Sequence, residues 1–101
     1  SHPYTTSHFF AHYLASKAAL EQLTRAWALE LGPAVRVNGV APGPVAMAGD
    51  TTEAQREDIL ARVPLRREGA PEDVARAVVY LAGAPYVTGQ TIRVDGGLSV
   101  A

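Results

Sequence analysis

Tyr13 and Lys17, in the stretch YLASK, are the residues whose types and spacing could do proton chemistry. On a helix, positions i and i+4 are neighbours, with Cβ atoms roughly 5–6 Å apart. An ammonium held there favours the phenolate, because a nearby opposite charge stabilises the ionised form. A free tyrosine titrates near pH ~10 and exchanges its proton poorly at neutral pH. Beside a lysine it gains the range that a general acid–base step needs. The same spacing also suits an ordinary surface pair, so the pair alone does not define a site.

The pair heads a helix expected over residues 14–31. Leu20, Leu23, Trp27 and Leu31 form an apolar stripe, and Ala15, Ala18, Ala19 and Ala26 widen it. That coverage predicts a helix that buries two faces. Gly32 and Pro33 stop it. Ahead of it, residues 1–12 (SHPYTTSHFFAH) show no helical or strand period and are expected to form a loop. The histidines His2, His8 and His12 match no standard zinc spacing, so no metal site is expected.

Residues 35–40, VRVNGV, are expected as a strand, with Val35, Val37 and Gly39 on one face and Arg36, Asn38 and Val40 on the other. The strand runs into Ala41-Pro42-Gly43-Pro44-Val45. In open α/β sheets ligands bind beyond the carboxyl ends of strands. Two prolines and a glycine there fix a backbone path suited to main-chain contact with a ligand. A plain strand-to-loop turn is the alternative.

Downstream, residues 46–51 with the turn signal Gly49-Asp50 suggest a mobile lid. Thr52 with Gln55 fits a capping box opening a helix to about Arg62, with Ile59 and Val63 facing inward and Pro64 ending it. Arg66 and Arg67 read as a solvated basic pair. Pro71, Glu72 and Asp73 suit a helix N-terminus. Val74, Ala77, Val78 and Leu81 form its buried stripe and Gly83 closes it. A last strand, TIRVD, presents Ile92 and Val94 to one side and turns at Asp95-Gly96-Gly97.

The blocks ASKAAL, LTRAWALELGP, VRVNGVAPGPV, VPLRREGAPEDVARAVVYLA and YVTGQTIRVDGG, in this order, resemble the C-terminal part of the short-chain dehydrogenase/reductase family, from Tyr13 almost to the end. The ending APYVTGQTIRVDGGLSV looks most like the pteridine-reductase-like members, although sugar-alcohol and acyl-carrier reductases end similarly. The resemblance implies an α/β fold, with residues 1–101 the C-terminal portion of one NAD(P)-binding Rossmann domain built on a doubly wound parallel sheet. It implies NADP(H) or NAD(H) as cofactor and hydride transfer to or from a small-molecule substrate such as a pteridine or a carbonyl compound. It assigns Tyr13 as general acid/base and Lys17 as its activator, which also holds the nicotinamide ribose. It places Pro42 and Gly43 against the nicotinamide and Val45 on its carboxamide. Tyr4, Phe9, Phe10 and His12 would border the substrate pocket. The family's catalytic serine stands about a dozen positions before the tyrosine; Ser1 is twelve before Tyr13, one short of the usual offset. Where many members place a phosphate-contacting threonine this chain has Met47, which cannot donate that hydrogen bond. The resemblance also implies that the main helix, Trp27 included, packs on a second copy in a dimer or tetramer.

The chain has 101 residues, a formal net charge of −1 and no cysteine. Nothing in that balance points to nucleic acid or a charged membrane surface. No apolar run approaches the roughly 20 residues of a membrane span. The lack of cysteine excludes a disulfide framework and favours a reducing, cytoplasmic setting. No glycine-rich phosphate turn occurs: Gly39 and Gly43 have its separation, but the third position is Val45. A second reading follows, a non-catalytic binding or oligomerisation module.

Overall fold

The computed structural model describes the backbone of residues 6–44 and 51–100, and side chains from residue 10 onward within them. In chain order these form helix α1 (Thr6–Leu31), strand β1 (Gly39–Pro42), helix α2 (Glu53–Ala61), helix α3 (Pro71–Ala82), strand β2 (Thr91–Val94) and a 3-10 turn (Leu98–Val100). The fold is α/β with a parallel sheet: β1 and β2 pair in register Gly39 with Thr91 through Pro42 with Val94.

The two faces of this sheet carry different helices. Gly39 and Ala41 are buried toward α1; a Cβ on Gly39 would stand 2.9 Å from Thr24 Oγ1 and 3.3 Å from Leu20. Val40, on the opposite face, shares a cleft with Val78 and Leu81 of α3. The inward line of α1 is therefore Tyr13, Leu20, Thr24 and Ala28, and not the stripe expected from the apolar residues. Leu20 belongs to it, but Leu23, Trp27 and Leu31 are 46%, 49% and 42% exposed. The reason is steric: close approach to Gly39 and Gly89 selects the small side chains of Thr24 and Ala28, whatever their polarity. Only one face of α1 is covered by the described residues.

Helix α1 begins at Thr6, so residues 6–12 are helical where the sequence suggests a loop. The helix-favouring run from Leu14 onward extends backward through residues whose own periodicity is too weak to signal it. The strand also differs. Residues 35–38 precede β1 because their polar groups are spent on the loop before β2. Val37 N–H donates to Thr88 Oγ1 at 3.0 Å and Gly89 N–H to Val37 O at 2.7 Å. The Asn38 side chain bridges Val87 O and Gln90 N–H at 2.8 and 3.1 Å. Val78 is half exposed where its spacing predicts burial, whereas Leu81 is 7% exposed.

Local signals in the second half are realised closely. Thr52 and Gln55 form the reciprocal capping box, at 3.1 and 2.9 Å. Ile59 and Val63 are buried, as are Ala41, Leu81 and Leu98. Asp73 accepts from Ala70 N–H at 2.7 Å and so caps α3, which holds its carboxyl below the usual range. Arg66 and Arg67 are more engaged than a solvated pair: Arg66 donates to Ala61 O and Val63 O, and Arg67 to Glu68 O.

Arg36 closes the other end of α3. Its guanidinium donates to Leu81 O at 2.9 Å and Ala82 O at 3.0 Å in the last turn of α3, where carbonyls lack an intrahelical donor, and to Val87 O at 3.3 Å in the loop beyond. Replacing Arg36 with alanine is expected to cost about 1–2 kcal/mol. For a domain of this size each kcal/mol lowers the melting temperature by roughly 4–8 °C. Thermal denaturation followed by circular dichroism checks this; an unchanged midpoint would refute the capping role.

Candidate active site

Helix α1 supplies Tyr13 and Lys17 one turn apart, and β1 supplies Pro42. With Ser16, Leu20 and Ala41 they line one cleft of about 80 Å³. Gly43 adjoins it, donating its N–H to Val94 O at 3.0 Å. The structure thus brings together Tyr13, Lys17 and the Pro42-Gly43 turn. Val45, Met47, the Gly49-Asp50 turn, Ser1, His2 and Tyr4 lie outside the described residues, as do the side chains of His8 and Phe9.

A third element enters that the sequence does not announce. Tyr13 Oη donates to Asp95 Oδ2 at 2.6 Å, across 82 positions of chain. Asp95 is only 7% exposed and begins the turn after β2. Its Oδ1 accepts from Gly97 N–H and its Oδ2 from Ser99 N–H, both at 3.0 Å. Gly96 (φ 63°) and Gly97 (φ 93°) make this wrap possible, since both lie where glycine is favoured. Burial works against ionisation of Asp95, but the hydrogen bonds from Tyr13, Gly97 and Ser99 outweigh it and hold the carboxyl below its usual range.

The phenol responds in the opposite sense. Burial, then the hydrogen bond to Asp95 and the carboxylate's charge, push Tyr13 well above the ordinary tyrosine value; Arg93 and the Ser99 hydroxyl pull it back only in part. The expectation that Lys17 would lower it describes the pair alone; burial of the phenol, reinforced by an anion at hydrogen-bond distance, sets the net direction upward. Arg93 is in turn fixed by Glu21 of α1 at 2.7 Å, which holds the Glu21 carboxyl low.

This carries a pH dependence. The folded chain binds the Tyr13 proton more tightly than the unfolded chain does. The resulting stabilisation is complete below the unfolded value of about pH 10 and is lost as pH rises toward the folded value. The denaturation midpoint is expected to fall above pH ~10, with a smaller fall in Tyr13→Phe. Equal alkaline profiles for the two proteins would contradict it.

A wider cavity of about 800 Å³ lies on the other side of Tyr13, lined by Phe10, Leu14, Arg62, Arg66, Leu98 and Ser99 among others. The Arg62 guanidinium stands 4.8 Å from the Phe10 ring centroid. Of the aromatic residues expected to border a substrate, Phe10 is placed there. Among the described residues no cluster of His, Cys, Asp and Glu could hold a metal ion, and no helix is long and apolar enough to cross a membrane.

The donor set suits the nicotinamide end of a dinucleotide: a phenol, an ammonium and a Pro-Gly turn converge beyond the carboxyl end of a parallel strand.

Comparison with known proteins identifies relatives of this chain. The family model for enoyl-(acyl carrier protein) reductase matches residues 4–99. The 3-oxoacyl-acyl-carrier-protein reductase FabG of Thermotoga maritima is 47% identical over 94 residues, covering 88% of this chain and 38% of its own length. FabG of Pseudomonas aeruginosa is 49% identical over 92 residues, covering 86% and 37%. Among solved structures, a Brucella melitensis short-chain dehydrogenase/reductase, a glucose/ribitol dehydrogenase, superposes with a TM-score of 0.70 at 39% identity, over 87% of this chain and 35% of that one. A small-chain dehydrogenase in complex with NADPH superposes with a TM-score of 0.71 at 32% identity, over 83% and 41%. The chain therefore spans well under half the length of the relatives it matches, and it belongs to the short-chain dehydrogenase/reductase family of oxidoreductases.

Proposed function

We propose that residues 1–101 are the C-terminal part of a single Rossmann domain in an NAD(P)(H)-dependent oxidoreductase that reduces a carbonyl group. The observation that carries this is the convergence of Tyr13, Lys17 and Pro42 on one cleft at the end of β1. The nicotinamide supplies or accepts the hydride. Tyr13 gives the proton to the developing alkoxide in reduction and takes it in oxidation. Lys17 presents its ammonium to the ribose hydroxyls and favours the ionised phenol once the proton has left. Pro42 and Gly43 would seat the nicotinamide ring, and the family resemblance assigns Val45 to its carboxamide. The identity to acyl-carrier-protein reductases favours a ketone carried on an acyl chain; a pterin ring rests on the tail APYVTGQTIRVDGGLSV alone. NADPH is the first cofactor to try, since it occupies a structural relative. The setting is cytoplasmic, and the exposed side of α1 with Trp27 packs in a homodimer or homotetramer.

The exposed apolar residues around α1 also support the second reading, a non-catalytic association module. Leu14, Trp27 and Leu29 are 58%, 49% and 86% exposed, more apolar surface than a lone subunit favours. Titration of NADPH and NADH by nicotinamide fluorescence separates the two. Saturable binding is expected when the N-terminal half of the domain is present as well; its absence there from a folded protein supports the second reading. Turnover of a 3-oxoacyl thioester against a pterin then decides the substrate class.

A further inference from the structure

We propose that Asp95 is the positioning residue for Tyr13: its buried carboxylate takes the phenolic hydrogen bond and holds Tyr13 at rest as a proton donor. The use made of that proton rests on the function proposed above; the pairing does not.

Three observations carry it. The Tyr13 Oη to Asp95 Oδ2 distance of 2.6 Å is that of a charge-assisted O–H to carboxylate bond, stronger than a neutral one. Asp95 is also pinned independently of Tyr13: the N–H groups of Gly97 and Ser99 fix both of its oxygens. Finally, Gly43 lies so close that an added Cβ would stand 2.7 Å from Asp95 Cβ, so the carboxylate is keyed to the turn that seats the nicotinamide. One carboxylate thereby ties the α1 ring to the ends of β1 and β2. A carboxylate whose oxygens are satisfied by backbone has little freedom, so the phenol it holds has little either. Among the described residues, the other charged groups around the phenol are Arg93 of β2, itself held by Glu21 of α1, Lys17 one turn along, and Arg62 and Arg66 across the wider cavity. Glu21, the one anion in that set, is spent on Arg93, so among the described residues it is Asp95 that draws the phenolic proton. To reach a substrate oxygen the O–H turns away from Asp95, which remains ionised.

The test reads both partners in the full chain. An ultraviolet difference titration against Tyr13→Phe isolates the Tyr13 phenol from the other tyrosines. In Asp95→Asn that step is expected roughly one pH unit or more lower, since the neighbouring anion is gone. In Tyr13→Phe, the Asp95 carboxyl carbon followed by NMR is expected to titrate at higher pH. Circular dichroism confirms folding. An unmoved Tyr13 step in folded Asp95→Asn, or an unmoved Asp95 in Tyr13→Phe, overturns the proposal. If Asp95→Asn does not fold, the Tyr13→Phe arm decides alone, because it leaves the ring in place. Should both titrations move while the protein reduces no carbonyl compound, the pairing stands and the proposed oxidoreductase function falls. Should turnover occur with neither moving, the pairing falls and the function stands.

Discussion

Tyr13→Phe is expected to lower kcat by about 100- to 10,000-fold, the usual contribution of a positioned general acid–base group. The substitution keeps the ring and removes only the hydroxyl. The remaining phenyl ring would still close the cleft beside Pro42 and leave Lys17 where it stands. NADPH affinity is therefore expected to change little, and the loss to appear in kcat with KM nearly constant. That split marks an interaction made in the transition state and not in the ground state. Steady-state kinetics with a 3-oxoacyl thioester, together with fluorescence titration of the cofactor, provide the measurement. Undiminished turnover would remove Tyr13 from the mechanism. Equal losses in kcat and cofactor affinity would instead identify it as a binding residue.

The second large effect is on stability. Gly43→Ala is expected to cost about 1–3 kcal/mol, the cost of forcing an extra carbon into a packed site. The added Cβ would stand 2.7 Å from Asp95 Cβ and 2.8 Å from Asp95 Cα. Backbone cannot give way as the tip of a long side chain does, so β1 and β2 must separate at their carboxyl ends. The pairing of Gly43 N–H with Val94 O then weakens, and Asp95 moves off Tyr13. Gly83→Ala is the control: its nearest neighbour would be 3.7 Å from the added carbon, an ordinary contact. Chemical denaturation of both variants checks the contrast. Equal midpoints would show that the turn yields freely and that Asp95 is not keyed to it.

Much of the site is legible in the sequence because its parts are local. Tyr13 and Lys17 are one helical turn apart, and Pro42-Gly43 follows a recognisable strand, so each can be placed from a few neighbouring residues. The Thr52–Gln55 box and the Pro71 start are legible for the same reason: the partners lie three residues apart or fewer. What escapes is what depends on distant chain. Asp95 looks like the first residue of a turn, and nothing near it in sequence says that a phenol 82 positions earlier will donate to it. The phase of α1 escapes too, because its apolar residues suggest one inward set while Gly39 and Gly89 decide which side chains are small enough to face them. Val35 and Val37 carry strand-like alternation, yet Asn38 and Thr88 divert the hydrogen bonds that a ladder would need.

The parallel pairing of β1 with β2 has a consequence for how the chain reaches this state. Gly39 cannot meet Thr91 until about half the sequence has been drawn into a closed loop, with Asn38 and Gln90 joined across 52 positions. The entropy of that closure is lost before any strand hydrogen bond compensates for it, and such non-local pairings are slow to form. Helices α2 and α3 lie within the loop and shorten it as they form. The sheet, and with it the meeting of Tyr13 and Asp95, is accordingly expected to form late in folding, after the capped helices. Slow assembly of the strands leaves their edges open to other chains in the interval, so recovery from denaturant should be most efficient at low protein concentration.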